Sequence, residues 1–215
     1  MTKFANIMQN IIFDLGGVIY EIRYLNIADK FKSYGLENFD KIYTKQNQTD
    51  IIDLYEEGKI PTSEFRDYIR SLSNINLTDK QIDDAWNAIL IDVSEDKVEM
   101  LKKVKQNYRV FLFSNTNELN YNCFTNYLNR KFGFDFFDSL FEKAYFSHIM
   151  KDRKPKHSSF QKILEEQNLV PSETFYIDDS PQHIESAQKL GINCYHLKHH
   201  SDVLKLFDSN GRLVI

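Results

Sequence analysis

Four short polar stretches carry residue types that could do chemistry together. Asp14 ends the apolar run in IIFDLGGVIY, residues 11–20. Ser114, Asn115, Thr116 and Asn117 lie in FLFSNTN. Asp152, Arg153, Lys154, Pro155 and Lys156 form a basic stretch, and Asp178, Asp179, Ser180 and Pro181 end FYIDDSP. Brought to one place, these stretches supply a lone carboxylate, a hydroxyl with neighbouring amides, a cation and a carboxylate pair. Phosphoryl transfer uses such a set. Three carboxylates can hold Mg2+, a hard cation that takes oxygen ligands. With its charge screened, Asp14 can approach phosphorus as a nucleophile and form an aspartyl-phosphate, which water then hydrolyses. Ser114 and nearby amides would hold phosphoryl oxygens, and Lys154 would balance the charge that spreads over them in the transition state.

Each stretch taken singly has a plain structural reading. A strand-end Asp before Gly-Gly can be a turn residue. Ser114 or Asn115 can cap a helix. A run such as KDRKPK can be a solvated loop. Asp178, Asp179 and Ser180 precede a helix that starts at Pro181, where the helix dipole favours acids. The functional reading rests on their order, because each stretch follows or adjoins a predicted strand. Short apolar runs at 10–13, 109–113, 144–146, 174–177 and 193–197 read as buried parallel strands. Helical patterns at 94–106, 120–129, 158–167 and 181–190 alternate with them. That alternation predicts an α/β fold, a doubly wound parallel sheet. Ligands of such sheets bind just outside the carboxyl ends of the strands, where all four stretches would converge.

One segment breaks the alternation. Between Tyr20 and Asp92 the sequence predicts no strand, but helices at 27–34, 50–56, 63–72 and 79–90. Thr78 and Gln81 fit a capping box, and Pro61-Thr62-Ser63 can halt one helix and start the next. The division is therefore a core of residues 1–19 and 93–215 with an all-helical insertion, residues 20–92, after the first strand; the alternative is that these helices simply cover the sheet.

Composition sets the outer limits. The 215 residues, 42% of them hydrophobic, suffice for one large domain or a domain with an insertion. A net charge of −4 argues against a nucleic-acid footprint. No run of about 18 apolar residues could span a bilayer, and MTKFANIMQN has no long apolar stretch of a leader. Cys123 and Cys194 are far apart and in no metal spacing, as free thiols of a reducing compartment would be. The expectation is a cytoplasmic protein, monomer or homodimer, with a small phosphorylated substrate and no nucleic-acid or membrane partner.

With these motifs in order, the chain resembles the haloacid dehalogenase superfamily of aspartate-nucleophile hydrolases. The resemblance rests on FDLGGV at 13–18, FSNT at 113–116, RKPK at 153–156 and YIDDS at 176–180. EEGKIPTSEF at 56–65 and AWNAIL at 85–90 add to it, so nearly the whole chain is covered. Within the family it is similar to the small phosphatases that begin FDLGNV or FDLGGV, a bacterial alpha-D-glucose-1-phosphate phosphatase among them. The resemblance implies a Rossmann-like core with a helical cap. Asp14 would be nucleophile and Mg2+ ligand, with the Gly16 carbonyl as a further ligand. Ser114 and Asn115 would contact phosphate or substrate, and Lys154 would bridge nucleophile and phosphate. Asp179 would ligate the metal directly, and Asp178 directly or through water.

The departure from the pattern is Gly16. Most phosphatases of the family carry a second Asp two residues after the nucleophile, which protonates the leaving oxygen and later activates water. Such general acid–base help contributes about 10²–10⁴-fold. Three readings follow. The protein is a phosphatase whose proton comes from another group, from solvent or from the substrate; an anomeric phosphate, with its better leaving group, would need the acid least. Or it is a metal-independent 2-haloacid dehalogenase, although those lack the acidic pair found at Asp178–Asp179. Or it is a phosphate-ligand binding protein with little turnover. His157 is a conceivable substitute acid, more simply a helix-start residue, and His199 and His200 read as surface. The aromatic-rich stretch 131–146 reads chiefly as core. The cap would close over the crevice and set the substrate, with Arg23, Tyr24 and Tyr43 as plausible contacts.

Overall fold

The computed structural model of the chain describes residues 8–44 and 49–214; the N-terminal residues 1–7, read above for a leader, lie outside them. The described strands are β1 (Asn10–Phe13), β2 (Glu21–Ile22), β3 (Leu90–Asp92), β4 (Arg109–Ser114), β5 (Lys143–Phe146), β6 (Thr174–Asp178) and β7 (Asn193–His196). Helices α1 (Leu25–Ser33), α2 (Asp50–Glu56), α3 (Thr62–Ser71) and α4 (Asp79–Asn87) fall between β2 and β3. The others are α5 (Glu95–Val104), α6 (Glu118–Phe132), α7 (Phe136–Leu140), α8 (Ser147–Met150), α9 (His157–Glu166) and α10 (Pro181–Gln188).

Five strands form one parallel sheet in the order β5-β4-β1-β6-β7. Its apolar runs are continuous because both faces are covered. Ile11 and Phe13 of β1, Val110 and Leu112 of β4, and Phe175 and Ile177 of β6 point to one face. There they meet Val98 and Leu101 of α5 and Phe124 and Leu128 of α6. Ile12, Phe111, Phe113 and Tyr176 point to the other face, against Phe160 and Ile163 of α9 and Ile184 and Ala187 of α10. The result is a three-layer helix–sheet–helix core. The chain leaves β1 for β4 and β5, then returns to β6 on the opposite side of β1. That reversal opens a crevice at the carboxyl end of β1, where Asp14 stands.

Within the helical segment a separate apolar cluster forms around Trp86 of α4, fully buried among Phe39, Tyr43 and Phe65. Helix α3 contributes Phe65 and Ile69, one turn apart on a single stripe. The capping box at Thr78 and Gln81 forms as its sequence predicts. Where the sequence predicts no strand, β2 and β3 pair antiparallel at the two ends of the segment. Strands of two and three residues carry no readable alternation, so the helix expected over 79–90 stops at Asn87 and yields to β3.

Smaller differences have similar local causes. The cap of α6 is neither Ser114 nor Asn115 but Asn117, whose side chain accepts from the Asn120 amide. Pro181 opens α10 as expected. The stretch 131–146 sends Phe136, Phe137, Phe141, Tyr145 and Phe146 into the core. Cys123 and Cys194 are free thiols. Among the described residues no helix is long and apolar enough to cross a membrane.

Candidate active site

At the centre of the crevice is a buried ammonium. Lys154 is fully buried, and its Nζ donates to Asp14 Oδ1 at 2.8 Å, Asp178 Oδ2 at 2.8 Å and the Phe113 carbonyl at 2.9 Å. An ammonium has three N–H donors, so every one is used. Asn115 fixes the backbone that delivers it: its amide accepts from the Lys154 N–H at 2.9 Å and donates to the Lys154 carbonyl at 2.9 Å. The Asn115 side chain therefore holds the lysine in place. Ser114, also buried, makes only a long 3.4 Å contact to the Asn115 carbonyl, so its hydroxyl can turn toward a ligand.

Asp178, at the end of β6, is the most enclosed acid. It accepts from Lys154, from the Tyr176 hydroxyl, from the Ser180 amide at 2.7 Å and from His183 Nδ1 at 3.0 Å. Burial alone would raise its pKa, but Lys154 and His183 outweigh that and hold it well below the usual carboxylate range. Asp14 goes the other way. Burial pushes it up to about 8 against the pull of Lys154, and the charges of Asp178 and Asp179 add to the rise. With all three carboxylates ionised, the Lys154 ammonium alone does not neutralise them.

That surplus fits a divalent cation. Asp14, Asp178 and Asp179 each offer a ligand atom, all within 4.8 Å of one another. The second glycine of the motif makes room for this set. Gly17 has φ +79°, and a Cβ there would stand 2.0 Å from Asp179 Oδ2. Only glycine both adopts that backbone and lets Asp179 come so close. At Gly16 a Cβ would meet only the Ile22 Cδ1 methyl at 3.0 Å, the mobile end of a side chain.

Asp14, Gly16, Ser114, Asn115, Lys154 and Asp179 line a single cleft of about 330 Å³, with Asp178 directly beneath. The volume sits at the small end of the range for small-molecule sites, about 300–1,000 Å³. From the helical segment Tyr24, Tyr43, Asp53 and Glu56 close the other side. Tyr24 and Tyr43 thus fall where the sequence places them, whereas Arg23 is exposed and off the cleft. His157 is exposed at the start of α9 and does not reach the site. His199 is exposed, and half-exposed His200 lies 3.8 Å from Glu21.

Sequence reasoning missed His183, Asp53 and Glu56, and it named Arg153 only as part of the basic stretch. His183 follows Asp178 by five residues on the first turn of α10, a spacing that could have marked it. Asp53 and Glu56 are three apart on α2, hence on one face, but nothing in the sequence says that this face meets the core. Arg153 bonds Asp53 and lies 3.0 Å from Glu56 Oε2.

The geometry agrees with comparisons to known proteins. A family model described as haloacid dehalogenase-like hydrolase matches residues 11–197. A D-ribitol-5-phosphate phosphatase of Bacteroides thetaiotaomicron is 29% identical over 197 residues, 91% of this chain and 94% of that one. A HAD-family enzyme of the same organism was solved, as an alanine variant, with magnesium and inorganic phosphate. It matches with a TM-score of 0.85 at 34% identity, over 89% of this chain and 95% of its own. A HAD-like hydrolase structure from Porphyromonas gingivalis matches with a TM-score of 0.79 at 28% identity, over 88% and 91% of the two chains. Sheet order, strand-end acids and a family match over most of the length lead to one assignment: this chain belongs to the haloacid dehalogenase-like hydrolases.

Proposed function

We propose that the protein is an Mg2+-dependent phosphomonoester hydrolase acting on a small phosphorylated metabolite, such as a sugar or alditol phosphate. The observation that carries this reading is Lys154 held between Asp14 and Asp178 with Asp179 alongside, an arrangement whose carboxylates, once ionised, outnumber its ammonium. Asp14 and Asp179, with the Gly16 carbonyl, would hold Mg2+; Asp178, occupied by its four donors, would act directly or through water. When bound, the cation supplies charge that keeps Asp14 ionised and screens it from an anionic substrate.

Asp14 is the nucleophile in this reading and carries the phosphoryl group as an aspartyl-phosphate. Lys154 orients the Asp14 carboxylate and balances charge on the phosphoryl oxygens. The Ser114 hydroxyl and the Asn115 backbone amide receive those oxygens, while the Asn115 side chain keeps Lys154 in register. The helical segment acts as a cap, residues 20–92, over a core of residues 1–19 and 93–215. The alditol phosphatase relative and the magnesium–phosphate complex of the structural relative support this reading. An alditol phosphate has an ordinary alkoxide leaving group, so that relative does not favour the anomeric phosphate suggested by the likeness to glucose-1-phosphate phosphatases.

Gly16 favours a second reading, a phosphate-ligand binding protein with little turnover. The two separate by assay. With Mg2+, the protein is expected to hydrolyse para-nitrophenyl phosphate and members of a sugar and alditol phosphate panel. Chelator or Asp14→Asn should abolish this. Phosphate binding without hydrolysis of any panel member, or hydrolysis indifferent to Asp14→Asn, contradicts the proposal.

A further inference from the structure

Gly16 leaves a departing alkoxide without the usual carboxylic acid beside it. The nearby donors of the core are committed elsewhere. Lys154 has all its N–H groups engaged, His183 Nδ1 is held by Asp178, and Arg153, a guanidinium that does not deprotonate, is bonded to Asp53. Where a Gly16 side chain would begin, the Ile22 Cδ1 methyl stands 3.0 Å away. Two residues beyond Ile22 the helical segment puts Tyr24 into the same cleft. Its ring packs on Tyr43 with centroids 5.5 Å apart. Burial, then the charges of Glu56, Asp179, Asp14 and Asp178, hold the Tyr24 phenol above its usual range. The hydroxyl therefore keeps its proton and lies within electrostatic reach of both walls of the cleft. Tyr43 is raised by burial, Tyr24 and Glu56, so Tyr24 is the tyrosine on the side of the core acids.

We propose that the Tyr24 hydroxyl is the proton donor to the leaving-group oxygen, in place of the acid that position 16 lacks. This rests on the phosphomonoesterase reading above and assigns the proton of that reaction. In-line displacement carries the leaving oxygen away from Asp14, toward the wall that holds Tyr24. As an Asp14 oxygen bonds to phosphorus, the bond from phosphorus to the leaving oxygen breaks. Its electron pair stays on that oxygen, which takes the Tyr24 proton, and the alcohol departs. Water then attacks the phosphorus of the aspartyl-phosphate and gives one proton to the Tyr24 phenolate. The bond from phosphorus to Asp14 breaks, inorganic phosphate leaves, and both side chains return to their starting states. A phenol is a weaker acid than a carboxyl group, so Gly16→Asp still has rate to gain.

The test is kcat/KM with Mg2+ on three phosphates of similar shape and increasingly poor leaving groups: para-nitrophenyl, phenyl and benzyl phosphate. This constant reports transition-state stabilisation up to departure of the leaving group. Tyr24→Phe keeps the ring against Tyr43 and removes only the hydroxyl. It is expected to lower the benzyl phosphate value about 10- to 100-fold, the lower part of the range for acid–base catalysis. The para-nitrophenyl phosphate value should change less than about threefold, because that leaving group departs without a proton. Equal losses on all three substrates in the folded variant would mark a merely structural tyrosine and overturn the proposal, as would an unchanged benzyl phosphate value. A wild type that cleaves para-nitrophenyl phosphate alone has no working donor, which overturns it as well. Absence of turnover on all three in the wild type overturns the phosphatase reading itself, and the role of Tyr24 with it.

Discussion

At the scale of single residues, the two glycines after Asp14 do different work. Gly17 is fixed by its positive φ and by Asp179, which would collide with any side chain there. At Gly16 a Cβ would meet only the Ile22 side chain, which a shift of a few tenths of an ångström relieves, so the backbone admits a side chain there. Gly16→Asp is therefore expected to install the missing general acid. Hydrolysis of alkyl phosphates, whose alkoxide leaves poorly, should rise at least about tenfold, within the usual 10²–10⁴ range of such catalysis or just below it. Para-nitrophenyl phosphate should gain much less. Equal changes on both substrates would show that Gly16 matters for backbone shape. Lys97 offers a separate check. Its Nζ caps the Val18 and Ile19 carbonyls at 2.7 and 3.1 Å, bracing the turn that follows Gly17. Burial pushes its pKa down to about 8. Between about pH 8 and the ordinary lysine value near 10.4 the unfolded chain holds a proton that the folded chain has released. Stability should therefore rise with pH in that window. Urea unfolding of wild type and Lys97→Met should show the steeper rise in the wild type; equal slopes would contradict it.

At the scale of elements, legibility tracked the physics of each. The strands were legible because β1, β4 and β6 are buried on both faces and read as unbroken apolar runs between turns. The four polar stretches were legible because each lies at or just beyond a strand end, and the structure brings their predicted site residues to one cleft. What sequence could not give was orientation. The face of α2 that carries Asp53 and Glu56 is decided by its docking on the core, where the Ser147 hydroxyl donates to the Glu56 carbonyl at 2.6 Å. The ribbon of β2 and β3 was invisible because its strands are too short to show a period. Trp86 tests whether the helical segment depends on its own core. It is wholly buried, and its Nε1 also donates to Asn117 Oδ1 of the catalytic core at 3.2 Å. Trp86→Ala should cost about 3–5 kcal/mol in urea unfolding. A loss below about 1 kcal/mol would mean that the cluster around it repacks freely.

At the scale of the whole molecule, a doubly covered sheet presents the acids and the lysine, and a helical segment with its own core closes the cleft from the other side. Arg153 joins the two: its backbone precedes Lys154, and its guanidinium bonds α2. The ammonium that bonds Asp14 and the guanidinium that bonds α2 are thus adjacent in the chain. The central claim is that Asp14 carries the phosphoryl group. Wild-type protein with Mg2+ and substrate should be quenched during turnover, treated with borohydride, digested and read by mass spectrometry. The account predicts a reduced residue, homoserine, at position 14, absent without substrate and absent when chelator is present. Steady hydrolysis with Asp14 recovered unmodified, or reduction at a different carboxylate, would contradict it.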